Sequence, residues 1–181
     1  MRVIGGEFRS RLLKTLPGLA TRPTTDRLRE TLFNVLAPRI EGAVFVDAYA
    51  GSGAVGIEAL SRGAARAVFL EKDRAAVRII AENLKSLGLR SRSELVSAPS
   101  LSGLGKYPAD IVFLDPPYDD ADEYKAALQL LGDAPPSLAI AQHDRHHPLD
   151  AEYGQLRRTR VLKQGDNLLS FFAPVRIDAD N

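Results

Sequence analysis

Four consecutive residues, Asp115-Pro116-Pro117-Tyr118, have the side chains and backbone needed to hold an amino group of a nucleobase. Proline fixes φ and has no N–H, so the carbonyl groups beside the two prolines point in set directions as acceptors. A carboxylate and a rigid carbonyl accept the amine protons, while the Tyr118 ring gives a base a surface for stacking. Asp115, Pro116 and Tyr118 are therefore the candidate catalytic residues. The structural alternative is a Pro-Pro strand end with Tyr118 covering the core.

A second motif, Gly51-Ser52-Gly53 with Gly56, follows an apolar segment that ends at Asp47. Glycines allow a ligand to approach the backbone and the N-terminus of the next helix. Glu71 lies 20 residues after Gly51. In dinucleotide-binding folds a carboxylate at this distance along the chain accepts hydrogen bonds from a ribose diol. These residues indicate a nucleoside-containing cofactor and leave nicotinamide dinucleotides and S-adenosylmethionine open. A tight strand–helix turn and an exposed strand-end acid are the structural alternatives.

Short apolar segments alternate with amphipathic ones, which predicts an α/β fold. The expected fold is a mostly parallel seven-stranded sheet with helices on both faces, an antiparallel C-terminal hairpin and a short N-terminal extension. We predict strands at 43–47, 67–71, 93–96, 110–114, 137–141, 157–162 and 167–173, and helices at 54–62, 73–87 and 121–131. A further helix starts at Thr24-Thr25-Asp26 and ends near Ala37, because Pro38 follows.

The chain of 181 residues is 45% hydrophobic, lacks cysteine and carries a net charge of +1, so neither a disulfide framework nor a thiolate zinc site is available. It shows no signal peptide and no apolar run of about 20 residues, which predicts a cytoplasmic protein. Residues 1–40 hold eight basic and three acidic residues. Such a basic segment is typical of nucleic-acid enzymes, and a solvated arginine-rich surface remains equally open.

The Asp115–Tyr118 stretch, the glycine motif and the strand-end Glu71 together resemble the class I S-adenosylmethionine-dependent methyltransferases that modify amino groups of bases. The chain as a whole resembles the bacterial 16S ribosomal RNA guanine-N2 methyltransferases of the RsmD type. The matching stretches, in the family's order, are residues 2–11, 22–34, 50–64 and 115–118. The likeness is thinner beyond Tyr118.

The resemblance implies a Rossmann-like methyltransferase fold, S-adenosylmethionine as the cofactor and 16S rRNA as the partner, within an assembled or assembling small ribosomal subunit. It also implies a monomer that needs neither membrane nor metal. The expected cofactor-binding residues are Arg22, Thr24, Asp47, Gly51, Ser52, Gly53, Glu71, Lys72, Ser97 and Ala98. Asp47 is expected near the amino acid end of the cofactor. Relatives commonly carry an acid after the third strand, where this chain has Ser97-Ala98.

The implied organisation has a basic extension and helix at 1–40 that faces RNA and cofactor, a methyltransferase domain at 41–176 and a tail at 177–181. Arg9, Arg11 and Lys14 are expected to track RNA phosphates. A second basic group, at 157–163, extends the RNA surface or protects an edge strand by charge. His143, His146 and His147 are expected in a polar surface loop rather than at a metal.

Other functions remain open at this stage. A DNA or RNA methyltransferase acting on adenine N6 or cytosine N4 would use the same four-residue motif. A nicotinamide-dependent oxidoreductase would use the glycines and Glu71, but has no use for Asp115–Tyr118. A catalytically silent cofactor-binding module would not be expected to keep that motif.

Overall fold

The computed structural model describes residues 1–18, 25–117 and 120–176. Its strands are β1 (Val44–Asp47), β2 (Arg66–Glu71), β3 (Ser93–Ser97), β4 (Ile111–Leu114), β5 (Leu138–Asp144), β6 (Glu152–Tyr153), β7 (Leu156–Gln164) and β8 (Asn167–Pro174). Its helices are α1 (Asp26–Ile40), α2 (Ala54–Ser61), α3 (Arg74–Ser86), α4 (Ser100–Gly103) and α5 (Ala121–Asp133), with a 3₁₀ turn at Arg90–Arg92. Within the described ranges, no helix combines the length and the apolar content needed to cross a membrane.

The strands form one sheet in the order β3-β2-β1-β4-β5-β8-β7-β6. β1 to β5 pair in parallel, whereas β8, β7 and β6 add antiparallel strands at one side. The predicted α/β class and C-terminal hairpin are confirmed. The sheet has eight strands rather than seven. The additional strand is β6, which pairs with the start of β7 after the chain turns at Gly154. Two residues are too few to show a strand periodicity in the sequence.

The chain reverses its direction across the sheet at β1. From β1 it first adds β2 and β3 on one side, and later adds β4 and β5 on the other. Loops that follow β1 and β4 therefore leave the sheet on either side of a crevice at its carboxyl edge, where ligands bind in open α/β folds.

The core lies on both faces of the sheet. Leu32 of α1, Ile57 of α2 and Ile80 of α3 cover one face, and Leu128 of α5 is part of the cluster on the other. Because helices lie on both sides, β4 is buried along its full length. The apolar strands thereby hold their carboxyl-end residues in fixed positions.

Helix α1 starts as predicted but runs further. The side chain of its N-cap, Thr25, accepts a hydrogen bond from the Leu28 N–H at 3.2 Å. Pro38 does not end the helix, which continues to Ile40. Proline removes only the N–H that would reach the Asn34 carbonyl; Asn34 is exposed, so water can serve that carbonyl. The buried Ile40 anchors the last turn in the core.

Strand β5 also runs further than predicted, and His143 lies inside it rather than in a surface loop. Its ring is buried, with Nε2 at 2.8 Å from the Ser170 hydroxyl and Nδ1 at 3.0 Å from the His147 carbonyl. β8 pairs with β5 up to Asp144, and this long-range pairing extends the strand. Burial lowers the pKa of His143, which keeps the ring neutral and structural.

Residues 1–18, here called the N-terminal arm, pack against the domain. The Ile4 and Gly5 N–H groups donate to the carboxylate of Glu58 on α2, at 2.9 and 2.8 Å. Glu58 is fully buried, and Val3 and Leu13 of the arm belong to the core on the α1–α3 face. The arm is therefore docked through buried contacts.

Candidate active site

Three carboxyl groups meet at the carboxyl edge of the sheet. Asp47 ends β1, Glu71 ends β2, and Asp115 directly follows β4. Asp47 is 1% exposed, and burial raises its pKa to about 7, with further increases from the charges of Asp115 and Glu71 and an opposing hydrogen bond from the Gly56 N–H. Asp47 therefore lies within electrostatic reach of both Asp115 and Glu71.

The glycine loop between β1 and α2 presents open backbone. Gly51 and Gly53 have φ values of 55° and 81°, in the left-handed region that glycine adopts without strain. A Cβ placed on Gly51 would meet nothing within 4 Å, so one side of the loop is free for a ligand. Gly56 serves packing instead, because a Cβ there would lie 2.3 Å from the ring of Phe69 on β2.

Glu71 holds the glycine loop from β2. Its Oε2 accepts from the Gly51 N–H at 2.8 Å, and its Oε1 accepts from the Asp73 N–H at 2.9 Å. Each carboxylate oxygen has a second lone pair, and the side chain is only partly buried. The acid can therefore accept further hydrogen bonds from ligand hydroxyls, and together with the open face at Gly51 it fits a ribose-containing cofactor.

Other predicted cofactor residues surround this point. Lys72 and Ser97 are exposed, and the Ala98 N–H donates to the Glu71 carbonyl at 3.1 Å, which brings the end of β3 beside that of β2. Asp47 lies deeper, where its Oδ2 accepts from the Gly56 N–H at 2.9 Å in the first turn of α2. Asp47 thus stabilises the first turn of α2. Its contact with a cofactor stays a prediction.

The four-residue motif begins where β4 ends. Asp115 is partly exposed, Pro116 is buried and Pro117 is exposed. Asp115 lies close enough to Asp47 to raise the pKa of that acid. The predicted amine acceptor therefore lies near Asp47, at the same edge of the sheet as the predicted cofactor loop. Tyr118, Arg22 and Thr24 lie outside the described residues.

Comparison with known proteins decides the family. A family model described as "Conserved hypothetical protein 95" matches residues 1–173. The candidate rRNA methyltransferase YlbH of Bacillus subtilis is 37% identical over 174 residues, which cover 91% of this chain and 94% of YlbH. The chain belongs to this family.

Further relatives confirm the resemblance to RsmD-type methyltransferases. Ribosomal RNA small subunit methyltransferase D of Escherichia coli K12 is 47% identical over 120 residues, which cover 65% of this chain and 60% of that protein. The structure of the candidate methyltransferase yhhF from Escherichia coli superposes with a TM-score of 0.85 at 34% identity, covering 96% of this chain and 97% of yhhF.

A more distant structure supports the fold alone. An RNA methyltransferase from Salinibacter ruber, in complex with S-adenosyl-L-homocysteine, has a TM-score of 0.66 at 18% identity and covers 88% of this chain and 98% of its own. The Rossmann-like methyltransferase fold expected from the sequence is confirmed.

Within this RsmD-type chain, Asn83 supports the glycine loop although it belongs to none of the sequence motifs. It lies on α3, is 1% exposed, and its Nδ2 donates to the Ser52 carbonyl at 3.2 Å and to the Lys14 carbonyl at 3.0 Å. Its Oδ1 accepts from the Lys14 N–H at 2.8 Å. One amide thereby joins the glycine loop to the N-terminal arm. A polar residue within the apolar stripe of α3 was the available signal.

Ser100 is a second residue that the sequence did not indicate. Its buried hydroxyl donates to the Ala48 carbonyl, which ties the start of α4 to the loop after β1. A serine after a strand has no distinctive pattern, so only the fold reveals this contact.

The predicted RNA-contacting cations of the arm lie against α3. The Lys14 ammonium forms an ion pair with Glu82 at 2.8 Å, and the Arg11 guanidinium donates to the Ser86 carbonyl at 3.4 Å. Arg9 is exposed on the turn that precedes Arg11. The structure thus joins Arg11 and Lys14 to the domain, and their contact with RNA stays a prediction.

Two further features lie apart from the crevice. A cavity of about 390 Å³ opens at the opposite edge of the sheet, where Tyr107 and Pro108 precede β4 and Pro135 precedes β5. Among residues 1–18, 25–117 and 120–176, no group of three histidine or acidic side chains is arranged to hold a metal ion.

Proposed function

We propose that this chain transfers a methyl group from S-adenosylmethionine to the exocyclic N2 amine of a guanine in 16S ribosomal RNA. The observation that carries the proposal is the position of Asp115-Pro116 at the carboxyl end of β4, across the sheet reversal from the glycine loop. The name of the Escherichia coli relative, Ribosomal RNA small subunit methyltransferase D, supports the RNA class of the substrate.

Residues of the crevice would hold the cofactor. S-adenosylmethionine supplies a methyl group that is already activated, so the protein has to contribute position and electrostatics. The free lone pairs of Glu71 suit the ribose hydroxyls, and the open backbone at Gly51 lets the cofactor lie against the glycine loop before α2. Ser97 and Ala98 would flank the adenine, with Lys72 and Ser52 at the loop surface.

Asp115 and Pro116 act on the substrate amine. The N2 lone pair of guanine is delocalised into the ring, which makes the amine a poor nucleophile. When its two N–H groups donate to the Asp115 carboxylate and the Pro116 carbonyl, the nitrogen becomes more pyramidal and its lone pair is aimed at the methyl group. As the nitrogen bonded to the methyl carbon, the methyl–sulfur bond would break and S-adenosylhomocysteine would be the leaving group. The nitrogen would carry the positive charge, and Asp115 would then accept one proton.

The remaining predicted contacts complete the proposal. Tyr118 stacks on a guanine turned out of its RNA context, and Arg22 and Thr24 close over the cofactor. Asp47 is assigned to the amino acid end of the cofactor. We assign the enzyme to the cytoplasm as a monomer, with the assembled or assembling small subunit as its substrate.

Methyl transfer from labelled S-adenosylmethionine to three acceptors tests the substrate class. The acceptors are small ribosomal subunits that lack the modification, naked 16S rRNA and duplex DNA. We expect label in the subunits or the naked RNA, and none in DNA. Label in DNA alone would contradict the RNA assignment, and label in none of them, with cofactor binding intact, would contradict the enzymatic proposal.

A further inference from the structure

Strand β7 is an incompletely covered edge of the sheet. β6 pairs with β7 only at Leu156 and Arg157. The Arg158 N–H still donates to the Ala151 carbonyl at 2.8 Å, but from 159 to 164, within the part of the chain that the structure describes, β7 has β8 on one side and no strand on the other. Such an edge exposes backbone and side chains to a partner.

This edge is strongly basic. Residues 153–165 contain four basic residues and no acidic one. Arg157 is paired with Glu152 at 3.0 Å, and Arg158 donates to the Leu149 carbonyl at 3.0 Å. Arg160 and Lys163 are exposed and form no ion pair with the residues that the structure describes. Two cations of the edge are thus free to bind a polyanion.

The β7–β8 hairpin has its turn at the same edge of the sheet as Asp115. β8 pairs with β5 up to Asp144 opposite Asn167, so the β7–β8 turn lies at the carboxyl edge of the sheet, as does Asp115. β7 is three strands from β4, which corresponds to a lateral separation of about 14 Å at ~4.8 Å per strand. An RNA backbone that leaves the crevice along this edge reaches the hairpin.

The edge is shaped against pairing with another strand. A bulge between Arg158 and Arg160 breaks the register with β8. Beyond it, Arg160 lies on the face of Phe171, and Lys163, three residues later, lies on the opposite face. Bulges and charges on both faces prevent β-strand addition, whereas cations flanking an edge suit a phosphate backbone that runs along it.

We propose that the β7 edge, through Arg160 and Lys163, is an RNA-backbone contact surface of this enzyme. The inference rests on the proposed function and adds a surface that the arm does not supply. Lys14 and Arg11 are engaged with α3, whereas Arg160 and Lys163 have no such partners among residues 1–18, 25–117 and 120–176.

The test compares two double variants of equal charge change in the same region. Arg160→Gln with Lys163→Gln removes the two free cations. The control, Arg145→Gln with Arg157→Gln, removes two cations that are paired with Asp166 and Glu152 at 3.0 Å each. Affinity for transcribed 16S rRNA is measured from 50 to 300 mM salt, with the affinity for S-adenosylhomocysteine and the thermal midpoint as checks on folding.

We expect the slope of log affinity against log salt to become shallower by about 1.4 in the test variant, at ~0.7 per phosphate contact on single-stranded RNA. The control should change the slope by less than half as much, with cofactor affinity unchanged in both. An unchanged slope in the test variant, or an equal change in both variants, would overturn the hairpin surface. Failure of the wild-type enzyme to methylate 16S rRNA, both as naked RNA and within small ribosomal subunits, would instead overturn the proposed function.

Discussion

Strand β4 has an aspartate beside each of its ends, and the two lie in very different surroundings. Asp110 precedes the strand at the amino edge, is exposed, and its Oδ2 accepts from the Val44 N–H at 2.8 Å. Asp115 follows the strand at the carboxyl edge, within electrostatic reach of the buried Asp47. The same residue type binds a backbone N–H of the neighbouring strand at one edge, and at the other edge it is the residue to which we assign the substrate amine.

The direction of the parallel strands explains this difference. Each strand from β1 to β4 leads from its carboxyl end into a loop and then into the start of a helix, so helix N-termini gather at that edge. Unpaired N–H groups and the positive ends of the helix dipoles favour bound anions and ligand oxygens there. The amino edge receives helix C-termini, and its cavity is lined by Tyr107 and prolines. This contrast supports our assignment of the reacting residues to the carboxyl edge of the sheet and of structural residues to the amino edge.

The largest effect is expected from matched substitutions at the two ends of β4. Asp115→Asn removes the proton acceptor, and turnover on 16S rRNA should fall by about 10²–10⁴-fold. Asp110→Asn keeps an oxygen acceptor for the Val44 N–H, and turnover should stay within about threefold of wild type. Single-turnover rates at saturating cofactor measure both. Equal rates in the two variants would remove the distinction between the edges.

A second pair of variants compares Glu71, the acid that we assign to the cofactor, with Glu94 on the neighbouring strand. Glu71→Gln should weaken S-adenosylhomocysteine binding about 10–100-fold, because hydrogen bonds to a charged acceptor contribute about 1.5–3 kcal/mol. Glu94→Gln on β3 removes a surface ion pair with Arg66, and binding should be unchanged. Titration calorimetry measures both affinities. Normal binding by the Glu71 variant would show that another group holds the ribose.

Asn83 provides a smaller test, since it supports the carboxyl edge from α3. Asn83→Ala removes the donor to the Ser52 carbonyl, and affinity for S-adenosylhomocysteine should fall about 5–10-fold. Ser61→Ala loosens the arm, by removing bonds to Phe8 and Gly5, without touching the glycine loop. Its cofactor affinity should remain normal. If both variants bind the cofactor equally well, Asn83 serves only to dock the arm.

The smallest effect concerns the pH dependence of stability. The folded pKa of Asp47, raised to about 7 from 3.8, means that the folded protein keeps a proton that the unfolded chain loses. Stability therefore falls as pH rises between these values, by up to about 1.4 kcal/mol per pH unit. From pH 6 to pH 8, wild type should lose about 1 kcal/mol relative to Asp47→Asn, measured by urea unfolding. A constant difference would contradict the raised pKa.

The fold was largely predictable because its strands are continuous apolar segments separated by helical ones. The errors arose where long-range pairing decides the outcome. β8 extends β5 through His143, and β6 exists only because it meets β7. Packing of Ile40 carries α1 past Pro38. None of these contacts leaves a local pattern.

The site divides in the same way. Gly51, Glu71 and Asp115 were predictable because each lies at or just beyond the carboxyl end of a strand in a recognisable motif, and parallel strands bring such positions to one edge. The contact between Asn83 and Ser52 and the ion pair between Lys14 and Glu82 were not predictable, since each joins residues far apart in sequence. Motifs therefore identified the groups to which we assign ligand contacts, whereas the structure was needed to find the residues that position them.

The most direct test of the central claim is the identity of the methylated nucleoside. Wild-type enzyme is incubated with S-adenosylmethionine and small ribosomal subunits that lack the modification, and the 16S rRNA is digested and analysed by mass spectrometry. We predict N2-methylguanosine as the product, and its loss in the Asp115→Asn variant. Methylation at adenine N6 or cytosine N4, or undiminished product from that variant, would contradict it.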